Sequence, residues 1–537
     1  MFFRKRLAFS ACFLAIALPC SAEIEDSGLT LVNPWGMSFL EEGEPSLPTN
    51  MWKASDADEL LPMMRSVRTG SLTPAERTLM RRMALSPASP PSGEQEPLLR
   101  AERARIMFEL GEAEAAAALM ARLDDPPPDM NADEISADLN LALGNEASAC
   151  DMLNEPDHRG HYWAKLRAVC ATLQGNTAGA ELAIEMALSQ GVEDSWLLNA
   201  VFAASGELPN PPEARYNSGI ALAISTQANL QPPENPLPED RPDLAAAMAT
   251  RSNLPARLRT QAALQAADAG LITDDAVRNL FIALLDETDF QPETPLETAF
   301  FASRDPLTTD GERSKALARA LQAAMSSPAR FMAVSRLLEK DIDRLSVSEE
   351  TAAEALVFAR AGLATGNLIS AADWSNANTI EGADTAGDFD AALIKGLTIL
   401  AGAKASGSQI DYAGNRLAQL AASDKEMHLA GRLFALWTAV GIGPPPSARS
   451  LMLQTESEPP AGAHMLLRVL ADAEADAAGE VILSAVGYTD GDPQGLDTVD
   501  LTLLIMALKR IGAEDAARQL ALEATGYWRL SGPEGTD

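Results

Sequence analysis

Between helical patterns a glycine is followed five residues later by an alanine at Gly111 and Ala116, Gly144 and Ala149, Gly175 and Ala180, Gly366 and Ala371, and Gly512 and Ala517. A helical pattern stands on both sides of each glycine. Glycine adopts the left-handed backbone that ends a helix without steric cost, and a small alanine in the next helix lets the two helices pack closely. The first three glycines are 33 and 31 residues apart, the period of a helix-turn-helix repeat. The recurrence predicts helical hairpins laid down in series.

Start signals point the same way. Thr73-Pro74-Ala75-Glu76 joins an N-cap hydroxyl, a proline at the first helical position and a capping-box glutamate. Asn131 with Glu134 and Ser346 with Glu349 repeat the box, and Ser327-Pro328 repeats the proline start. Beyond it, Phe331, Val334, Leu338, Ile342 and Leu345 recur every three to four residues, so one face of that helix is buried. No alternation of period two runs as long. Alanine supplies 96 of the 537 residues and costs no side-chain entropy in a helix. The expected fold is all-α, an α-solenoid of serial antiparallel helical hairpins in one array or two.

Leu173-Gln174-Gly175-Asn176-Thr177-Ala178-Gly179-Ala180, with Ile184, Ala187 and Leu188 beyond it, resembles the turn and second helix of the tetratricopeptide repeat family. The likeness covers Pro97 to Gln190, with single hairpins at Gly366 and Gly512; Ala168 sits at a small-residue position of the first helix, but the aromatic ladder of that helix is missing. Membership would imply a solenoid whose concave face binds peptide or protein. Leu254 to Gly270, Gly366 to Trp374 and Leu504 to Ala524 also resemble Ala-rich exported bacterial proteins that carry an antifreeze-glycopeptide-like label.

Against 42 Lys and Arg stand 76 Asp and Glu, a formal charge of −34. Such a chain repels phosphate backbones and anionic lipid, which excludes nucleic acid as a partner. Arg4, Lys5 and Arg6, the apolar run Leu7 to Leu18 and the small residues ending at Ala22 read as a secretory signal cleaved after Ala22. Cleavage leaves 39 cations against 76 acids, or −37. Pro19 beside Cys20 departs from a lipoprotein motif, and a lipid anchor or an uncleaved anchor are the lesser alternatives. No later run reaches the ~18 apolar residues of a transmembrane helix. The expectation is a soluble periplasmic protein with no transmembrane segment in the mature chain.

Cys12 and Cys20 leave with the signal, so Cys150 and Cys170 remain. An even pair in an oxidising compartment favours one disulfide; two buried reduced thiols are the alternative. Asn145 to Asn154 and His161 to Leu173 read as neighbouring helices that could bring the two together. Proline-rich breaks then divide the chain: the signal at 1–22, an irregular arm at 23–50, an N-terminal repeat array at 51–205, a connector with one short helix at 206–243, a middle helical region at 244–380 and a C-terminal one at 381–537, with a Gly- and Asp-rich seam from Glu381 to Asp388.

Little in the chain carries chemistry. Asp490-Gly491-Asp492-Pro493-Gln494-Gly495 resembles the start of a calcium loop, but Leu501 stands where a bidentate glutamate is required. An acidic interhelical loop, with Asp497 or Asp500 near the next N-cap, is the simpler reading. His158 and His161 lack a third ligand for zinc and read as loop residues, while His428 and His464 read as partly buried. Trp163, Trp196, Trp374, Trp437 and Trp528 read as core packing rather than a binding groove. The arginines from Arg65 to Arg82 could meet an acidic partner, but in so acidic a chain they read first as intramolecular pairs. No nucleophile elbow, phosphate-cradling loop, zincin helix or Cys/His pair is present.

No catalytic, cofactor-binding or metal-binding residue is therefore assigned. The expected function is that of a non-catalytic scaffold in the periplasm or envelope, its acidic groove preferring basic protein or peptide segments. A cell-wall enzyme of the lytic transglycosylase kind, with a helical superhelix, is the alternative, although Glu456-Ser457 lacks the surrounding Gly and aromatic pattern. An ice- or surface-binding protein is the remaining reading.

Overall fold

The computed structural model describes residues 33–124, 126–127, 130–206, 208–238, 240–377, 388–452 and 463–529. The signal, the cleavage site after Ala22, the arm as far as residue 32, nearly all of the seam from Glu381 to Asp388, and Glu456-Ser457 lie outside them. The described residues form 26 α-helices. Their one β pairing is an isolated parallel bridge between Asp56 and Ser92. The fold is all-helical.

Local chemistry sets many of the helix starts. Thr73 Oγ1 accepts the Glu76 N–H at 3.4 Å while the Glu76 carboxylate accepts the Thr73 N–H at 2.6 Å, opening Pro74–Leu85. The same reciprocal box opens Asp310–Ala323 at Thr309, Gly407–Leu420 at Ser406 and Asp424–Ala439 at Ser423. Asn131 caps Ala132–Leu143, and Ser327 caps Pro328–Ile342. Ser346 and Glu349 form no box, because no helix begins there; Thr351 Oγ1 instead accepts the Ser348 N–H at 3.0 Å and donates to the Ser346 carbonyl at 2.8 Å.

Each of the five glycines separates two consecutive helices with φ between +70° and +94°. The paired alanines, Ala116, Ala149, Ala180, Ala371 and Ala517, are all buried. Gly111 is constrained twice over, because a Cβ there would stand 2.4 Å from Leu271 Cδ1 in addition to the positive φ.

The apolar side chains form two large clusters. One is drawn from Ala137 to Ala262 and contains the helix Gly219–Gln227, whose Ile220, Leu222, Ala223 and Ile224 are buried. The other runs from Trp35 to Met120 and resumes from Ala249 to Trp528. Ala256–Asp268 contributes Leu258 and Ala262 to the first and Ala263 and Ala267 to the second.

The chain also closes on itself. Pro74–Leu85 packs against Glu514–Glu523 and Ala478–Thr489, and Ala57–Ser66 packs against Ala478–Thr489. Polar contacts fasten this closure: Ala75 N–H donates to Glu523 at 3.0 Å, Ser55 Oγ to Glu480 at 2.9 Å and Gly491 N–H to Glu76 at 3.1 Å. Trp52 lies flat enough on Ala478–Thr489 that a Cβ at Gly479 would come within 2.3 Å of its ring.

Burial pushes the Glu523 carboxyl up to about 7, against the lowering pull of its hydrogen bonds to Thr73, Gln519 and Ala75 N–H. The folded chain therefore holds this proton to a higher pH than the unfolded one. The stability it confers is complete below ~4.3, the ordinary glutamate value, and is lost as pH rises through about 7. Glu523→Gln, which keeps an oxygen acceptor for Ala75 without the buried charge, is expected to gain about 2 kcal/mol over the parent chain at pH 8 and nothing at pH 4.5. Urea unfolding at the two pH values measures the difference; equal gains at both would exclude titration of Glu523 as the cause.

Candidate functional site

Two adjoining clefts lie where distant parts of the chain meet. The first, of about 710 Å³, is walled by Val67 to Thr73, by Asp240 to Pro242 and by Ser327 to Ala329. The second, of about 560 Å³, is walled by Pro74 to Arg82 on one side and by Ala267 to Asp274 and Ala329 to Arg336 on the other. Arg77, Asp268, Ala269 and Ala329 border both, so the two form one double cleft. The volumes fall in the range of ligand pockets. Leu72 and Pro242 supply apolar wall to the first lobe, and Leu271, Ile272 and Met332 to the second.

Helix geometry explains why these residues converge. The N-terminal ends of Pro74–Leu85, Pro242–Thr250, Asp274–Leu285 and Pro328–Ile342 all reach the double cleft. Each such end carries partial positive charge from its backbone N–H groups.

The lining is rich in cations for this chain. Seven arginines and six carboxylates border the two lobes, whereas the sequence as a whole has 42 cations to 76 acids. Arg68 pairs with Asp490, Arg81 with Glu44 and Glu112, Arg105 with Glu102 and Glu109, and Arg241 with Asp138 and Asp243. Arg77 and Arg82 differ, because both donate to backbone carbonyls: Arg77 to Thr69 at 3.2 Å and Leu110 at 3.5 Å, Arg82 to Pro45 at 2.8 Å and Ser46 at 3.1 Å. Glu41 and Asp240 are exposed.

Arg77 stands at the junction of the lobes. Burial pulls its guanidinium below the ordinary value, opposed by the charge of Asp268. Asp268 is itself held by Arg330, whose Nε lies 2.8 and 3.0 Å from its two oxygens and whose Nη2 lies at 2.6 Å. Burial raises the Asp268 carboxyl, and Arg330 and Arg77 lower it. Comparison with known proteins gives no family model, curated protein or solved structure that matches this chain.

The residues singled out in the sequence lie elsewhere. Cys150 and Cys170 are joined by a disulfide, with Cα atoms 5.7 Å apart, at the edge of the Ala137 to Ala262 cluster. The five Gly and Ala pairs are distributed along the chain and form no single site. His158 is not a solvated loop residue: it is buried, stacked on Trp163 with ring centroids 3.8 Å apart, and its Nε2 lies 3.1 Å from Asp133. Burial lowers its pKa, but the Met152 carbonyl and Asp133 outweigh that and leave it raised. His161 and His428 are exposed, the latter against expectation, because its neighbour Met427 is the side chain that this turn packs against the core. The side chain of His464 lies outside the described residues.

Asp490 is engaged by Arg68, Asp492 accepts the Gly495 N–H at 3.2 Å, and Asp497 caps Thr498–Arg510. Arg432 donates into the same loop, to the Pro493 and Leu496 carbonyls, so a cation already occupies its inner side. Among the described residues no cluster of three or more His, Cys, Asp or Glu is placed to hold a metal, and no helix is long and apolar enough to cross a membrane. Trp163, Trp374, Trp437 and Trp528 are buried, while Trp196 is half-buried beneath Arg215 and donates to the Glu213 carbonyl at 2.8 Å.

The double cleft itself was beyond sequence reasoning. The wall from Val67 to Arg82 lies more than 150 residues along the chain from those that begin at Asp240, and only the arginine run from Arg65 to Arg82 gave a signal.

Proposed function

We propose that this protein is a non-catalytic binding scaffold, an exported α-solenoid of tetratricopeptide-like hairpins that holds a protein or peptide segment in its double cleft. One observation carries the reading: the cleft is lined by the N-terminal ends of four helices and by seven arginines against six carboxylates, in a chain with almost two acids per cation. The serial hairpins turning at Gly111, Gly144 and Gly175 support the solenoid, and the n-region, apolar run and Ala22 support export.

Site-specific photocrosslinking tests the reading. A photoreactive residue in place of Thr78 or Met332, on opposite walls of the second lobe, is expected to capture one reproducible partner in the native envelope. The same group in place of the exposed Lys425 is expected to capture none. Identical products from all three positions, or no product from the two cleft positions, would rule the double cleft out as the working surface.

A further inference from the structure

Thr177–Ser189 carries three exposed large apolar side chains, Leu182 at 58%, Met186 at 49% and Leu188 at 51% exposure. No other described helix carries more than two. Its buried side is formed by Ala180, Ile184 and Ala187. The helix packs chiefly against His161–Leu173, and the next one, Ser195–Ala204, packs mainly against His161–Leu173 and Gly219–Gln227. The hairpin series thus leaves the outer side of Thr177–Ser189 uncovered. Helical spacing orders that side into two adjacent rows: Leu182 and Met186 in one, Glu181, Glu185 and Leu188 in the other. Both glutamates are exposed, and among the described residues neither carboxylate has an ion-pair or hydrogen-bond partner. Exposed apolar residues scattered singly are ordinary, whereas a row of them beside a row of unpaired acid fits one kind of partner.

We propose that this face of Thr177–Ser189 docks a basic amphipathic helix of another protein, its apolar stripe on Leu182 and Met186 and its Lys or Arg stripe on Glu181 and Glu185. Charge decides between the possible occupants. A second copy of this chain fits poorly, because two-fold pairing through the same face sets the Glu181 and Glu185 of both copies against each other in a chain of charge −34. An anionic lipid surface is repelled by the same two acids. A basic helix instead neutralises them while covering the apolar row beside them, and like-charged helices are turned away. No residue of Thr177–Ser189 borders either lobe of the double cleft, so this docking is independent of what the cleft holds.

Fluorescence anisotropy on the full chain tests this with a labelled synthetic helix of Leu, Ala and Lys, its leucines at three- and four-residue intervals and its lysines beside them. Two companions replace every Lys by Glu or every Leu by Ser. The Leu/Lys helix is expected to bind at least tenfold more tightly than either, and to weaken as salt rises. Leu182→Gln with Met186→Gln is expected to cost about tenfold in affinity and to leave the salt dependence unchanged. Glu181→Gln with Glu185→Gln is expected to cost about tenfold and to flatten it. Glu349→Gln with Glu350→Gln, which removes two exposed acids elsewhere, is expected to change nothing. All six positions are exposed, glutamine is a good helix former, and circular dichroism verifies each variant. An equal loss in the 349 and 350 variant, or no loss in the other two, overturns the proposal, because attraction to the chain's acidity at large then explains the binding. Equal or tighter binding of the Glu or Ser companion overturns it, as does binding of no helix. Self-association of the parent chain that Leu182→Gln with Met186→Gln abolishes overturns it in favour of a second copy. Photocrosslinking in the double cleft judges the scaffold reading separately.

Discussion

Arg103→Met is expected to destabilise the protein by about 4 kcal/mol, the cost of leaving several buried carbonyls without a charged donor. The Arg103 side chain is buried and donates to the carbonyls of Ala84 at 2.7 Å, Ser86 at 2.9 Å, Pro34 and Met37 at 3.3 Å, and Trp35 at 3.4 Å. It lies 5.6 Å from the Trp35 ring and 5.9 Å from that of Phe39. Burial alone lowers its guanidinium to about 10, so it stays charged at neutral pH. Among the described residues no acid is bonded to it; five carbonyls do the solvating. One side chain thus joins the irregular stretch around Trp35 to the end of Pro74–Leu85, and methionine restores the volume without any of the donors. Guanidinium chloride unfolding followed by tryptophan emission would measure the loss. A change under about 1 kcal/mol would mean that water satisfies those carbonyls equally well.

Removing the disulfide is expected to cost about 3 kcal/mol in the chain-entropy model for a loop of this length. Cys150 and Cys170 are 20 residues apart. They tie the short helix Glu146–Asp151 to His161–Leu173, which also packs against Thr177–Ser189. In the double variant Cys150→Ser, Cys170→Ser, hydrogen exchange is expected to quicken through residues 146–189. Exchange among the helices of the Trp35 to Trp528 cluster should stay unchanged. Uniform acceleration across the chain would contradict the separateness of the two clusters. The unreduced protein should have a mass two hydrogens below the reduced one, and identical masses would show free thiols.

Local chemistry made the helices legible. The box at Thr73, the spacing from Phe331 to Leu345 and the left-handed turn at each of the five glycines depend on residues within a few positions of one another, and the structure realises them. Ser346 misled because its box pattern is followed by Glu350 and Thr351, whose turn satisfies the backbone without a helix. His158 misled because nothing in its neighbourhood announces Trp163 as a stacking partner across a turn. The closure and the double cleft were illegible for a different reason. Glu523 meets Ala75 across 448 positions, and Glu523 alone, one acid among 76, carries no mark of being buried. The arginines from Arg65 to Arg82 split as the sequence could not foresee: Arg65, Arg68 and Arg81 found acids, whereas Arg77 and Arg82 found carbonyls.

The closure of first helices upon last also orders events in time. A chain emerging from its N-terminus presents the apolar face of Pro74–Leu85 long before Ala478–Thr489 and Glu514–Glu523 exist to cover it. Contacts of such long sequence separation form late and slowly. Until the last helices arrive, Pro74–Leu85 has Glu96–Glu109 beside it, but the face that meets the last helices stays uncovered and open to another immature chain. Truncation near the C-terminus would therefore injure the beginning of the protein, and would do so as aggregation during biogenesis before any loss of binding could be observed.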